Sequence, residues 1–399
     1  MSLNATVSAE RPHIAFFGRR NAGKSSVVNA VTNQRISVVS DTLGTTTDPV
    51  KKAMELLPLG PVVIIDTPGF DDVGALGELR VERTREVLRK TDIAVLVVDG
   101  AVGLTDADKE LVAEFKERKL PHVIVYNKSD LLAEIPTARD EEIYVSALTG
   151  DRIDELKEKL ALIVKDEKKE KKIVADLVED GDAVILVIPI DGAAPKGRII
   201  LPQQQVLREL LDHHCRVICC QPEELKAAID GLKHPPALVV TDSQAFGRVS
   251  RDTPDEIPMT SFSVLFARYK GRLESLIAGA DALGSLQDGD RVLISEGCTH
   301  RRQCGDIGTV KLPAWIRKYT GAEPLFEFTS GGSFSENLSD YRLIVHCGGC
   351  MLNEKEMQYR QQAAANAGIP MVNYGIAIAK MNGILDRALK PLCPVNGES

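Results

Sequence analysis

The sequence predicts an α/β protein of three domains: an N-terminal P-loop domain, a middle α/β domain and a C-terminal α/β domain carrying a cysteine–histidine motif. Three observations predict it. A G-x-x-x-x-G-K-S run at residues 18–25 sits between an apolar strand and an amphipathic helix. Short apolar strands alternate with helices from residue 182 to the C-terminal region, the pattern of parallel sheets covered by helices. The charge-dense run Lys165-Asp-Glu-Lys-Lys-Glu-Lys-Lys172 separates the two patterns as a linker or solvated helix extension. The boundaries that follow are 1–168, 173–262 and 263–399.

At 399 residues the chain exceeds one ordinary core. A net charge of −8 argues against a nucleic-acid-bound protein, which needs a basic face to displace counterions. Residues 1–10 are polar and lack the apolar region of a secretory signal, and runs such as 183–190 are too short to span a membrane. We therefore expect a soluble cytoplasmic protein with no membrane partner, whose eight cysteines are thiols or ligands before they are disulfides.

The first domain opens with strand His13–Gly18, running into Gly18-Arg-Arg-Asn21-Ala22-Gly23-Lys24-Ser25-Ser26. Glycines let backbone N–H groups cradle phosphates at the helix N-terminus; Lys24 reaches the β- and γ-phosphates and Ser25 ligates Mg²⁺. The strand over residues 62–66 ends in Asp66-Thr-Pro-Gly69, with Asp66 on Mg²⁺ through water and Gly69 sensing the γ-phosphate. Before it, Thr45 or Thr46 of Gly44-Thr45-Thr46-Thr47 completes the magnesium shell. The strand over 122–128 ends in Asn127-Lys128-Ser129-Asp130, where a carboxylate accepts the two N–H groups of guanine that adenine lacks. Ser146-Ala147 closes the base site. Five stretches in this order define a GTP/GDP-binding domain.

The middle domain shows strands near 183–190, 216–220, 237–241 and 259–262, but no phosphate loop and no telling carboxylate pair. Its His213-His214-Cys215 and Cys219-Cys220 invite a metal, yet Cys219 and Cys220 are neighbours in a strand and point to opposite faces. They read as buried thiols, and the domain as a self-association module. The last domain begins with a long helix expected over 262–282, and another is expected over 374–389. Its strands end at Glu296-Gly297-Cys298-Thr299-His300 and at His346-Cys347-Gly348-Gly349-Cys350. Ligands just past the carboxyl ends of strands are where such folds place sites. Donors from this set fit a Cys₃His zinc site or an iron–sulfur cluster on three thiolates equally well. Cys304 and Cys393 read as bystanders.

Residues 10–165 resemble the TrmE/Era-like branch of translation-factor-type GTPases. That resemblance implies a K⁺ ion bound beside Asn21, and slow hydrolysis, because Phe70 stands where Ras-like enzymes place a water-orienting glutamine. Such a G domain followed by C-x-H, 45 residues and H-C-x-x-C resembles the FeFe-hydrogenase maturation GTPase family. The resemblance implies a GTPase, a dimerisation domain and a cluster domain. It further implies a 4Fe–4S cluster on Cys298, Cys347 and Cys350, leaving the roles of His300 and His346 open. In that family the protein is a homodimeric scaffold: it receives a diiron precursor from two radical-SAM maturation enzymes and passes it to apo-FeFe-hydrogenase. The alternatives are a tRNA-modifying GTPase, disfavoured by the acidic charge, and a zinc-stabilised regulatory GTPase.

Overall fold

The structure, a computed structural model, describes residues 11–34, 50–69, 84–167, 171–190, 199–297, 307–331, 334, 337–350 and 352–392. The chain forms two compact units, Met1–Glu170 and Lys171–Ser399.

The first unit is built on a six-stranded sheet of order β2-β3-β1-β4-β5-β6, with β1 (His13–Gly18), β2 (Val50–Leu56), β3 (Gly60–Asp66), β4 (Ile93–Asp99), β5 (His122–Asn127) and β6 (Glu142–Tyr144). Only β2 runs antiparallel. The parallel strands are continuous apolar runs because helices cover both faces. Along β1, Ile14 and Phe16 enter one core and Ala15 and Phe17 the other, the two-residue alternation of a strand. Helices α1 (Lys24–Thr32), α2 (Asp106–Glu117) and α3 (Ile153–Glu167) flank the sheet. Val27, Val28 and Val31 are the buried stripe of α1, which fixes its N-terminus over the end of β1.

The second unit holds two four-stranded parallel sheets. One has the order β10-β9-β7-β8, from β7 (Ala183–Val187), β8 (Arg216–Cys220), β9 (Leu238–Thr241) and β10 (Met259–Ser261). The other has the order β12-β11-β13-β14, from β11 (Arg291–Glu296), β12 (Leu325–Ser330), β13 (Leu343–His346) and β14 (Met371–Asn373). Between and around them lie α4 (Leu201–Asp212), α5 (Leu225–Asp230), α6 (Phe246–Asp252), α7 (Phe262–Lys270), α8 (Leu273–Asp281), α9 (Leu312–Thr320), α10 (Glu354–Asn366), α11 (Tyr374–Met381) and α12 (Leu385–Leu389). One apolar cluster runs from Ile185 and Val239 of the first sheet to Val292 and Ile344 of the second. The middle and C-terminal domains read from the sequence thus share a core. Helix α11 explains it: Ile376, Ala377, Ile378 and Ala379 are all buried, so no face is left for solvent.

Two helices expected to be continuous are broken. The helix expected over 262–282 is α7 and α8, separated at Gly271, whose backbone is extended (φ −148°) and packed against the Gln361 amide, which a Cβ would have to displace. The helix expected over 374–389 breaks at Gly383, in the left-handed region at φ 70°. Among the described residues no helix is long and apolar enough to cross a membrane.

Candidate functional site

The nucleotide site assembles where β1, β3 and β5 end side by side. Gly18 closes β1 against the Val97 carbonyl, too tightly for a Cβ. The chain then turns through two left-handed residues, Asn21 at φ 61° and Gly23 at φ 82°, and enters α1. At Gly23 a side chain would also overlap the Asn127 amide. That amide joins three loops: Asn127 Nδ2 donates to the Ala22 carbonyl at 3.1 Å, and the Ala147 N–H donates to Oδ1 at 3.0 Å. Phosphate loop, base motif and Ser146-Ala147 segment are thereby one framework, with Asn127 buried at its centre.

Lys24 Nζ pairs with Asp66 Oδ1, and Ser25 Oγ donates to Asp66 Oδ2 at 3.4 Å. The first turn of α1 carries no acidic residue, so its N–H groups face the loop with positive potential. An ammonium, a hydroxyl and a carboxylate in one cluster at such a helix start fit a polyphosphate with Mg²⁺. On the base side, Ser146 Oγ donates to Asp130 Oδ1 at 2.5 Å. Lys128, left-handed at φ 65°, turns its ammonium onto Asp99 Oδ2 at 2.6 Å. Partial burial resists ionisation of Asp99, but the Lys128 hydrogen bond and the Ala101 N–H outweigh it and lower its pKa. Thr67 Oγ1 donates to the Phe16 carbonyl at 2.7 Å, tying the segment before Gly69 to β1. Thr45, Thr46 and Phe70 lie outside the described residues.

The thiol site lies at the carboxyl ends of β11 and β13, which pair directly. The Cys347 N–H donates to the Ser295 carbonyl at 2.9 Å. Cys347 Sγ accepts from the Gly297 N–H at 3.0 Å and the Gly349 N–H at 3.4 Å. Gly349 is left-handed at φ 61° and lies against the Met357 thioether, so the turn admits no side chain there. Cys347 and Cys350 are both half-buried. Cys298, His300, Cys304 and Cys393 are outside the described residues, although Gly297, next to Cys298, already touches Cys347 Sγ. Among the described residues no group of three potential ligands gathers. A sulfur that accepts two backbone N–H groups is placed as a thiolate would be, and Cys347 and Cys350 are the two candidate thiolate donors of the motif among the described residues.

His346 is fully buried, and both ring nitrogens are engaged. Nδ1 meets the Cys347 carbonyl at 2.7 Å, which makes it the protonated nitrogen, and Nε2 accepts from Arg360 at 3.0 Å. Burial first, and the Arg360 charge second, push its pKa down to about 3. The ring supports the Cys347 peptide and turns neither nitrogen outward. Arg360 itself is fully buried: it pairs with Glu356 at 2.9 Å, donates to the Gly331 carbonyl at 2.9 Å and lies over the Phe334 ring. From α7, the buried Lys270 ammonium donates to the carbonyls of Gly349 (3.2 Å), Cys350 (3.3 Å) and Leu352 (3.0 Å). Sequence reading missed Lys270, Arg360 and Glu356. The signal available was a charge on an otherwise apolar helix face, which a solvated side chain gives equally well.

The middle-domain thiols differ from expectation. Cys215 is buried, but Cys219 is exposed, because β8 is an edge strand, and Cys220 is half-buried. Burial first, then Glu224, pushes the Cys220 thiol up to about 11, so it is no ready metal ligand.

Fold and nucleotide site together define a P-loop GTPase domain joined to an α/β unit with a strand-end thiol pair. A family model of a 50S ribosome-binding GTPase matches residues 13–128. Models of the hydrogen maturase F dimerization domain and tetramerization domain match residues 173–271 and 274–391, together more than half of the chain. The chain belongs to the hydrogen maturase F family of GTPases and carries a dimerization and a tetramerization domain. The dimerization-domain match runs to residue 271 and so includes α7.

Relatives of the first unit include the tRNA modification GTPase MnmE of Laribacter hongkongensis, 36% identical over 156 residues, covering 38% of this chain and 34% of that protein. GTPase Der of Kosmotoga olearia is 32% identical over 186 residues, covering 42% of this chain and 41% of that one. The crystal structure of the G domain of the T. maritima FeoB iron transporter aligns with a TM-score of 0.30 at 21% identity, over 39% of this chain and 99% of that one. The chain spans about a third of the length of the first of these relatives.

Proposed function

We propose that this protein is a GTP-regulated scaffold that holds a 4Fe–4S cluster and delivers a diiron precursor to apo-FeFe-hydrogenase. The observation that carries the proposal is the coexistence of hydrogen maturase F models over residues 173–391 with Cys347 and Cys350 at the strand ends beside Gly297-Cys298. The tRNA-modification reading rests on the G domain alone, since those relatives match only 38% of the chain, and the net charge of −8 opposes it.

In this reading Cys298, Cys347 and Cys350 would hold the cluster, which would supply an exchangeable coordination position suited to cargo that must be released. N–H groups of Gly297 and Gly349 stabilise the Cys347 thiolate, and His346 and Arg360 hold the peptide that presents it. His346 serves as a support, and His300 remains a candidate ligand from the loop that carries Cys298.

On GTP binding, Lys24 exchanges Asp66 for the β- and γ-phosphates, while Ser25 and Asp66 take Mg²⁺ with Thr45 or Thr46. Asp130 reads guanine, and Asn21 orients a K⁺ ion at the phosphates. Hydrolysis is slow and serves as a timer for exchange of the two radical-SAM maturation enzymes and apo-hydrogenase. Homodimers form through residues 173–271; the exposed edge of β8, where Arg216 and Cys219 face solvent, supports pairing by sheet addition. Work takes place in the cytoplasm.

The test is anaerobic reconstitution with iron and sulfide, read by visible absorption and by EPR of the reduced protein. Wild type is compared with Cys298→Ala, Cys347→Ala and Cys350→Ala. A broad band near ~410 nm with an EPR signal, both lost in all three variants, is the expected result. A colourless protein with one tight zinc per chain would overturn the proposal in favour of a zinc-stabilised GTPase.

A further inference from the structure

The second unit contains one fold twice. Both sheets have their strands in the same relative order, second-first-third-fourth, and the registers coincide. Val184 stands opposite Val217 and Leu238, as Val292 stands opposite Phe326 and Leu343. Val239 stands opposite Met259, as Ile344 stands opposite Met371.

The sequence repeats at matching places. Asp180-Gly181-Asp182 precedes β7 and Asp288-Gly289-Asp290 precedes β11, both glycines at φ 82°. Asp182 and Asp290 each accept the N–H three residues back at 2.8 Å. Leu201-Pro202 and Leu312-Pro313 open α4 and α9. Ile257-Pro258-Met259 and Ile369-Pro370-Met371 lead into the last strands, after which Ser261 and Asn373 cap α7 and α11. Gly271 and Gly383 end those helices.

Contacts between the copies are reciprocal. Gly375 lies against its counterpart Ser263, too close for any Cβ. Helix α8, which follows the first copy, packs on β14, and α12, which follows the second, packs on β10. Counterparts that touch one another mark a pseudo-twofold axis, as in an isologous dimer fused into one chain.

Across that axis each copy's last helix meets the segment after the other's third strand. Asn382 sits beside Gly247, while its counterpart Lys270 meets Gly349, Cys350 and Leu352. Aligned on these registers, Cys347 and Cys350 correspond to Asp242 and Ala245, so only one copy has the thiols and only the other copy has the buried ammonium.

We propose that Lys270 is a positioning residue for the thiol site, supplied by the copy that lacks the cysteines. The ammonium donates to three carbonyls of one loop. With those carbonyls fixed, the Gly349 N–H is held toward Cys347 Sγ. The buried positive charge, 4% exposed, offsets the negative charge that thiolates bring to the same loop. The charge-related part rests on the cluster proposed above; the loop-holding part does not.

Two readouts in the full-length chain test it. In iron-free protein, hydrogen exchange of the amides at 347–352 is measured for wild type, Lys270→Met, Lys270→Arg and Asn382→Ala. In reconstituted protein, the cluster midpoint potential is measured for the same set. Lys270→Met is expected to speed exchange roughly tenfold and to move the potential to a more negative value. Lys270→Arg restores the potential, and Asn382→Ala changes neither readout. Wild-type exchange and potential in Lys270→Met would overturn the proposal, as would equal effects from Asn382→Ala, which would mean general loosening of the fold. If Lys270→Met does not fold, Lys270→Gln is read by the same two measurements. A wild type that takes up no cluster defeats the scaffold reading, and the exchange readout still decides the loop-holding role of Lys270.

Discussion

The nucleotide site and the thiol site are built on opposite plans. Nearly everything that shapes the nucleotide site comes from within its own motifs: Gly23 and Asn127 fit each other, Lys24 and Ser25 share Asp66, and Asp130 is set by Ser146. The thiol site is shaped from outside its motif, by Lys270 on α7 and Arg360 on α10. A motif-contained site tolerates change elsewhere in the chain and fails abruptly when the motif changes. A site braced from outside fails at residues that no motif marks.

Substitutions that separate these plans sharpen the comparison. Asp130→Asn leaves the guanine N–H groups without their carboxylate, and GTP affinity should fall about 10⁴-fold while iron uptake stays at the wild-type level. Isothermal titration and iron analysis measure both; a parallel loss of iron would show that the sites are not separately built. Next in size is Arg360→Met, which strands the buried Glu356 carboxylate and should cost the second unit about 3–5 kcal/mol. Denaturant unfolding should show that transition shifted, with GTP binding retained.

Gly23→Ala puts a Cβ at a left-handed position against Asn127, a strain of about 1–3 kcal/mol. Nucleotide affinity should weaken roughly tenfold to a hundredfold. Unchanged affinity would mean that the loop readjusts and that the fit of Gly23 to Asn127 does not matter. The smallest effect is expected from Asp108→Ala. The Asp108 carboxylate accepts the Thr105 N–H at 2.9 Å at the start of α2, and its loss should lower first-unit stability by about 1 kcal/mol without touching either site. Thermal melting gives that number.

The same contrast explains what could be read in advance. Residues 18–25 name their chemistry because the chain makes strand, turn and helix consecutively, and Asp66, Asn127 and Asp130 sit at the ends of strands that their apolar runs announce. Cys347 and Cys350 were legible for the same reason, as a short turn after β13. The shared core of the second unit was not, because it depends on α11 being buried all round, and eight residues of Tyr-Gly-Ile-Ala-Ile-Ala-Lys-Met do not say what lies on either side. Nor was the break at Gly271, which a single glycine in an apolar-periodic run does not announce and the Gln361 amide enforces from 90 positions away. Lys270 and Arg360 stayed hidden because burial, the property that gives them a role, belongs to the tertiary structure.

The Asn127 amide has a kinetic consequence. One side chain is bonded both to the loop that grips phosphate and to the segment that closes over the base, so movement of either loosens the hold on the other. Nucleotide departure should therefore be a single concerted event, with one residence time for both ends of the molecule. An analogue lacking the base should leave much faster than its phosphate contacts alone would dictate.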